Sequence, residues 1–251
     1  PGGPEHGGLL CLCLRGGAWG RVVVQGAGLC GDGDRVVRMS VEGSSSKKML
    51  YYFTSERYGL EALRDDRVKV ARLSDVNDPF EFHAIDGSGL LGRGIEKIKR
   101  TLNETRGLIC ASEEWSHPLM WSHYADKHQG ISLGLEVVDS QFIIPVKYVQ
   151  TPIPTSKLRD ANGQLLESVG LSMIATKFDS WSYEKEYRLF CNLAEKDAVL
   201  DLFFQSFHPA LRLTEVILGA RSLLDLDRIW RLLANKSHKV AVYRAICRSA
   251  E

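Results

Sequence analysis

Residues 181–190, WSYEKEYRLF, carry two carboxylates and a guanidinium at alternate positions. If this segment is a β-strand, whose successive side chains point to opposite faces, then Glu184, Glu186 and Arg188 share one face. Two glutamates whose Cα atoms are about 7 Å apart in a poorly solvated cleft perturb each other's ionisation, and a neighbouring guanidinium holds one of them charged. Such a face is suited to acid–base or electrostatic catalysis. The alternatives are a solvated outer face and a structural pair between Arg188 and a buried glutamate.

The segments around this strand predict a single α+β domain over residues 47–251. Short strand-like runs alternate with helical patterns without a strict βαβ rhythm, which favours a mixed, mostly antiparallel sheet with interspersed helices. The predicted strands are 49–54, 68–73, 107–112, 131–137, 142–149, 181–190, 213–219 and 239–246. The predicted helices are 57–65, a short basic helix within 86–106, 116–130, 164–177 and 223–234.

Residues 1–46 differ from the rest of the chain. The first 38 residues hold 11 of the 23 glycines and no methionine, and they show no sustained apolar periodicity. We interpret this segment as a disordered glycine-rich leader, or as an artefact of an upstream start codon. We therefore predict that the domain does not depend on it for stability.

Composition excludes several classes of protein. The 32 basic and 31 acidic residues give a net charge of only +1, so no overall field favours nucleic acid or an anionic membrane. No apolar run approaches the roughly 20 residues that span a bilayer. The six cysteines form no CxxC pair, which indicates reduced thiols in a cytoplasmic protein.

The remaining candidates for chemistry are weaker. His117, His123 and His128 lie close in sequence, but on a helix the first two are about 120° apart around the axis, which disfavours a shared metal. Cys110 and Cys191 lie in apolar strands and are interpreted as inert. The turn NDPFE, with Asn77 and Asp78, is either an ordinary turn or a functional loop after a strand.

Five phrases occur together along the chain: YFTSERYGLEAL, NDPFE, LMWSHYADKHQGISLGLE, WSYEKEYRLF and EVILG. In order and spacing they resemble the bacterial family known as domain of unknown function 2971, over about residues 49–247. The label of that family states no activity. The leader lies outside the resemblance.

A more distant resemblance implies a chemistry. The segment LYYFTSERYGLEALRDDRVKV resembles the opening of ADP-ribosyltransferase folds, in which a strand, a polar turn, a helix and a second strand follow one another. It implies a split sheet, NAD as substrate, and an unknown macromolecular acceptor, protein or nucleic acid, in phage defence or bacterial conflict. Glu186 would stabilise the positive charge that develops on the ribose, and Glu184 would position or deprotonate the acceptor.

The same resemblance implies which residues contact NAD. Tyr52 stands where such enzymes carry a more diagnostic His or Arg, and Arg188 would hold a carboxylate or a pyrophosphate. The predicted NAD-binding residues are Tyr52, Thr54, Ser55, Asn77, Asp78, His123 and Arg188.

Two alternatives remain open: a non-catalytic binding module, and a metal-dependent nuclease. The acidic residues that a nuclease would use are Asp75, Asp78, Glu184 and Glu186.

Overall fold

The computed structural model describes residues 10–12, 19–23, 48–76, 92–138, 143–154, 157, 169–193 and 196–247. The strands are β1 (Leu10–Leu12), β2 (Trp19–Val23), β3 (Lys48–Thr54), β4 (Arg67–Arg72), β5 (Arg106–Ser112), β6 (Ile131–Val137), β7 (Ile143–Pro145), β8 (Lys147–Val149), β9 (Thr176–Phe178), β10 (Glu186–Asn192), β11 (Phe203–Ser206), β12 (Leu211–Leu218) and β13 (Ala241–Cys247). The α-helices are α1 (Glu56–Asp65), α2 (Gly92–Thr105), α3 (Pro118–Tyr124), α4 (Val169–Ile174) and α5 (Leu226–Leu233). Among the described residues, Leu73–Asp75 and Asp179–Glu184 form 3₁₀ helices.

Eleven of the described strands form one mixed sheet. Its main path is β1-β2-β13-β12-β6-β3-β5-β10-β7, with β4 paired to β5 and β11 paired to β4. The pair β12–β13 is parallel and the other pairs of this sheet are antiparallel. Strands β8 and β9 form a separate parallel pair. The predicted α+β class with a mixed, mostly antiparallel sheet is confirmed.

The sheet branches at β5. One end of β5 pairs with β3 through Ser112 and Tyr51, whereas its beginning, at Gly107 and Leu108, pairs with β4. A Cβ on Gly107 would lie 2.2 Å from the side chain of Val70, so the close approach of β4 requires glycine at this position. Strand β10 runs along the other edge of β5 over seven paired positions.

Two apolar clusters lie on opposite faces of the sheet. On the first face, α1 and α5 cover a large core that includes Leu50 and Leu133. On the second face, α3 packs Trp121 against Phe53. Because side chains alternate along β3, Tyr52 packs on the first face and Tyr51 on the second.

Helix α1 follows the local signals in its sequence. The side chain of Ser55 caps its N-terminus by accepting a hydrogen bond from the backbone N–H of Tyr58, and Asp66 ends it in the left-handed conformation. Ala62 and Leu63 are buried against the sheet. Among the described helices, none combines the length and the apolar character that a membrane span requires.

The structure corrects several predicted elements. The predicted strand 181–190 begins only at Glu186, because residues 181–184 belong to the 3₁₀ helix Asp179–Glu184. The predicted strand 142–149 is divided between β7 and β8, and the predicted helix 164–177 is described as α4 followed by β9. Strand β11 was missed. Helix α3 is capped by His117, not by Ser116, and it ends at Tyr124.

Two strands fall within the predicted leader. Strand β1 pairs with β2, and β2 pairs with β13 at the edge of the sheet. Of the core residues whose burial the structure describes, all lie at or after Leu50. The dispensability of residues 1–46 for stability stays a prediction.

Candidate functional site

A cavity of about 70 Å³ lies on the second face of the sheet, beside α3. Tyr51, Phe53, Met120 and Tyr124 contribute aromatic and apolar walls. Its charged side chains are Lys177, Glu184, Glu186 and Arg188. These four side chains are between 0% and 6% exposed, so the solvated outer face that the sequence left open is excluded.

Strand β10 supplies Glu186 and Arg188. Because they are two residues apart on a strand, both point to the second face, opposite Ser112 and Cys110 of β5. The Arg188 guanidinium donates from Nε to Glu186 Oε1 at 2.8 Å and from Nη2 to Oε2 at 3.2 Å. Its Nη1 donates to the backbone carbonyl of Ile174 at 2.6 Å. Arg188 is thus fixed by the carboxylate and by the end of α4.

Glu184 reaches the same cavity by a different route. It ends the 3₁₀ helix, and Lys185 then takes a left-handed conformation with φ 44° and ψ 48° before β10 begins. Ser112 Oγ donates to the backbone carbonyl of Glu184 at 2.6 Å, and the Tyr124 hydroxyl donates to Glu184 Oε1. The two glutamates therefore meet in the cavity, although only Glu186 belongs to the strand.

Lys177 is the site residue that the sequence interpretation missed. Its Nζ lies 2.7 Å from Glu184 Oε2 and 2.8 Å from Glu186 Oε2. It lies in the middle of β9, where the sequence predicted the end of a helix. No local motif marks the TKF segment, because the partners of Lys177 come from outside β9.

The environments of the two carboxylates push their pKa values in opposite directions. For Glu186, burial acts to raise the pKa, but the charges of Arg188 and Lys177 and the hydrogen bond from Arg188 outweigh it and lower the pKa to about 2. For Glu184, burial raises the pKa against the opposing effect of Lys177. Paired carboxylates with divergent pKa values are a common basis for assigning acid and base roles.

Aromatic rings surround the outer side of this cluster. The Tyr183 ring stacks on His117 with centroids 5.3 Å apart, and the Trp181 ring is 6.0 Å from Tyr183. The exposed His123 ring lies 6.2 Å from the Tyr124 ring and 6.4 Å from the Tyr183 ring. His123, a predicted NAD-binding residue, is therefore placed beside Tyr124, which lines the cavity.

Three other predicted NAD-binding residues are not brought to Glu186. Tyr52 and Thr54 line a second cavity of about 210 Å³ on the first face, together with Phe204. Ser55 caps α1. Burial raises the pKa of Tyr52 to about 12, so its phenol is neutral at physiological pH. The residues of β3 that line the same cavity as Glu186 are Tyr51 and Phe53, because side chains alternate along the strand.

The residues required by the nuclease hypothesis are not assembled in the described part of the chain. Asn77 and Asp78 lie outside the described residues, although the preceding Val76 lines the cavity. The Asp75 carboxylate accepts hydrogen bonds from Ser74 Oγ at 3.1 Å and from the Arg72 backbone N–H at 3.4 Å. Among the described residues, no group of three or more His, Cys, Asp or Glu side chains could hold a metal ion.

Cys110 and Cys191 have properties consistent with inert thiols. Burial raises the pKa of Cys110 well above its ordinary value, and the negative charge of Glu186 raises it further. Burial also raises the pKa of Cys191 to about 11. A thiol with a raised pKa carries little of the thiolate that acts as nucleophile.

No family model matches the chain, and no curated protein or solved structure is significantly similar to it. The resemblances to domain of unknown function 2971 and to ADP-ribosyltransferases stay predictions.

Proposed function

We propose that this chain is an enzyme that cleaves the nicotinamide–ribose bond of NAD and transfers ADP-ribose to a macromolecular acceptor. One observation carries the proposal: Glu184 and Glu186 meet in one aromatic-walled cavity, in surroundings that lower the pKa of one and raise that of the other. Such a pair can supply a permanent negative charge and a proton-transferring group side by side. The family resemblance extends the proposal to a role in bacterial conflict or phage defence.

Glu186 is the residue that stays ionised. Departure of nicotinamide builds positive charge on the ribose, and a fixed carboxylate stabilises that charge more in the transition state than in the ground state. Arg188 restrains Glu186 through two hydrogen bonds, at 2.8 and 3.2 Å. The carboxylate is thus held in one orientation before substrate binds, which is what electrostatic stabilisation requires.

Glu184 is the residue suited to proton transfer. Burial raises its pKa, so its proton affinity is closer to that of the acceptor group it would deprotonate. The Tyr124 hydroxyl and the Lys177 ammonium orient its two oxygens. In this proposal Glu184 accepts the proton of the attacking acceptor group.

Two further features support the proposal. The cavity walls of Tyr51, Phe53 and Tyr124 are suited to a planar aromatic ring such as nicotinamide. The sheet branches at β5, where β3 and β4 pair with different ends of the strand. That branch is consistent with the split sheet that the resemblance implies. Tyr51, in place of Tyr52, would then supply the β3 side chain.

A non-catalytic binding module is the second candidate. The observation that favours it is charge balance, since two buried carboxylates meet two buried cations within the cavity. A cluster of ion pairs without net charge can hold β9 and β10 in their relative orientation without performing chemistry. In that case the aromatic rings of Trp181 and Tyr183 would form part of a docking surface.

The experiment is a turnover assay on the full chain with a matched control. Purified wild type is incubated with NAD, alone and with protein or nucleic-acid acceptors, and free nicotinamide and ADP-ribosylated product are measured. Glu184→Gln keeps the shape of the side chain but cannot take up the proton of the acceptor, so formation of ADP-ribosylated product should fall by about 100-fold or more. The control is Glu114→Gln, which alters an ion pair with Lys185 outside the cavity and should leave turnover unchanged.

Three outcomes contradict the enzyme proposal. Wild type that releases no nicotinamide under any of these conditions excludes NAD cleavage and favours the binding module. Equal turnover in wild type and Glu184→Gln excludes the assigned role of Glu184. Equal losses in Glu184→Gln and Glu114→Gln show that the effect does not arise in the cavity.

A further inference from the structure

Lys177 is a buried cation that joins both glutamates of the candidate site. Its Nζ is 2.7 Å from Glu184 Oε2 and 2.8 Å from Glu186 Oε2. These are the lengths of charge-assisted hydrogen bonds. Its side chain is 6% exposed, so bulk water does not compete strongly for the ammonium.

Charge neutralisation accounts for the contact of Lys177 with Glu184, but not for its contact with Glu186. Arg188 already binds both oxygens of Glu186 and supplies that carboxylate with a counter-charge. The distinguishing property of Lys177 is that one nitrogen contacts Glu184 and Glu186 together. An ammonium is a compact donor group with three N–H bonds, so it can hold two carboxylate oxygens at one short, equal distance.

The backbone around Lys177 is anchored on both sides. Strand β9 pairs with β8, and Lys177 is opposite Tyr148, whose hydroxyl accepts a hydrogen bond from the backbone N–H of Glu186 at 2.9 Å. Just before β9, the carbonyl of Ile174 accepts the hydrogen bond from Arg188. The segment that carries Lys177 is therefore tied to β10, the strand that carries Glu186.

We infer that Lys177 is a positioning residue of the proposed reaction: its single ammonium fixes the distance between the Glu184 and Glu186 carboxylates. The expected effect of Lys177 on turnover rests on the proposed function. The inference has a separate structural consequence, because a change at Lys177 alters a contact of both carboxylates.

The test is Lys177→Arg, with Lys147→Arg as the matched control. Arginine keeps the positive charge, but its planar fork is wider than an ammonium and cannot put one nitrogen between the two Oε2 atoms. Misplacing a catalytic group by about 1 Å can cost about 100-fold in rate. We therefore expect Lys177→Arg to lower kcat by about 100-fold, with KM for NAD changed less than about 3-fold. Lys147, exposed on the neighbouring strand β8, should tolerate arginine without effect.

A second measurement does not depend on activity. The side-chain carboxyl carbons of Glu184 and Glu186 are followed by carbon-13 NMR in wild type and in both variants. Lys177→Arg should shift both signals and Lys147→Arg neither, whether or not NAD is the substrate. If wild type does not cleave NAD, the proposed function fails, and these signals alone decide the inference about Lys177.

The results that overturn the inference are equally specific. Lys177→Arg with wild-type kcat shows that any cation suffices at this position. Carboxyl signals unchanged in Lys177→Arg show that Lys177 does not set the positions of the two glutamates. A Lys177→Arg protein that fails to fold assigns the ammonium to the fold instead of the site.

Discussion

Two buried cations hold Glu186 in the cavity, where little bulk water reaches its carboxylate. Arg188 and Lys177 both contact its carboxylate at 2.8 Å, and its own side chain is 5% exposed. In such surroundings the cost of desolvating the charges is offset only while each of them has its partner. The stability of this part of the molecule therefore depends on the charge of Glu186 as well as on its shape.

The first residue-scale prediction concerns Glu186→Gln. Glutamine preserves the size of the side chain but leaves Arg188 and Lys177 with one counter-charge fewer in a buried site. The free energy of unfolding should fall by about 3–5 kcal/mol, the range for breaking one partner of a buried ion pair. Urea denaturation measures it. The Glu114→Gln variant, in which the replaced side chain is 43% exposed, should change the same quantity by less than about 0.5 kcal/mol.

A Glu186→Gln protein as stable as wild type would contradict this account of the cluster. It would indicate that relief of repulsion between the two carboxylates compensates for the lost pairing with Arg188. Turnover of the same variant remains informative in either case, because stability and catalysis are measured separately.

The sequence made part of this site predictable. The spacing of Glu186 and Arg188 on a strand indicates a shared face, and the structure confirms it. The strand alternation predicted for Glu184 is wrong, because the left-handed Lys185 separates it from β10. Lys177 gave no signal, since its partners lie seven and nine residues away along the chain, across a 3₁₀ helix.

At the scale of elements, α3 connects the core of the second face to the cavity. Trp121 is fully buried, donates from Nε1 to the carbonyl of Trp115 at 2.6 Å, and meets the Phe53 ring edge-to-face at 5.2 Å. Tyr124, one turn later, reaches Glu184 with its hydroxyl. Because the two residues lie about one turn apart on one face of α3, the buried Trp121 anchors the helix that carries Tyr124.

The element-scale prediction is the effect of Trp121→Ala. Removing this buried ring leaves a cavity beneath α3 and should lower the free energy of unfolding by about 3–5 kcal/mol. The matched control is Leu119→Ala on the same helix, where the side chain is 42% exposed and a change within about 0.5 kcal/mol is expected. Urea denaturation compares the two, and equal effects would contradict the role of Trp121 as the anchor.

Elements whose apolar residues follow a regular pattern could be predicted from the sequence, whereas irregular elements could not. Strand β6 is buried along its whole length and its apolar run marked it clearly. Residues 181–184 alternate like a strand, yet they belong to the 3₁₀ helix Asp179–Glu184, whose last carbonyl accepts a hydrogen bond from Ser112 Oγ on another strand. Tertiary hydrogen bonds of this kind override the local preference of a segment for strand structure.

At the scale of the molecule, one branched sheet separates two regions. Helices α1 and α5 cover the first face and enclose most of the apolar core, while the charged cavity lies on the second face beside α3. The class of the fold followed from the mixture of strand and helix patterns. The strand order did not, because neighbours such as β5 and β10 are about 80 residues apart in sequence and pair through long-range contacts.

The whole-molecule prediction is the loss of stability in acid. The pKa of Glu186 is lowered from 4.5 to about 2 by folding, so the unfolded chain binds the proton more tightly. Its contribution to stability is complete above about pH 4.5 and is lost as the pH falls toward 2. Glu184 acts with the opposite sign, because burial raises its pKa and protonation then favours the folded state.

Comparison with Glu186→Gln measures this contribution together with its coupling to Glu184, whose pKa the negative charge of Glu186 helps to raise. From about pH 5 to about pH 3, wild type should lose about 2 kcal/mol more unfolding free energy than the variant, which has no carboxylate to protonate at this position. Urea denaturation at each pH, with both proteins in the same concentration of sucrose to keep the weaker variant folded, measures the difference. Acidic residues outside the cavity, such as Asp197, titrate in both proteins, so their effect cancels. Parallel losses in the two proteins would show that Glu186 is not held ionised by Arg188 and Lys177.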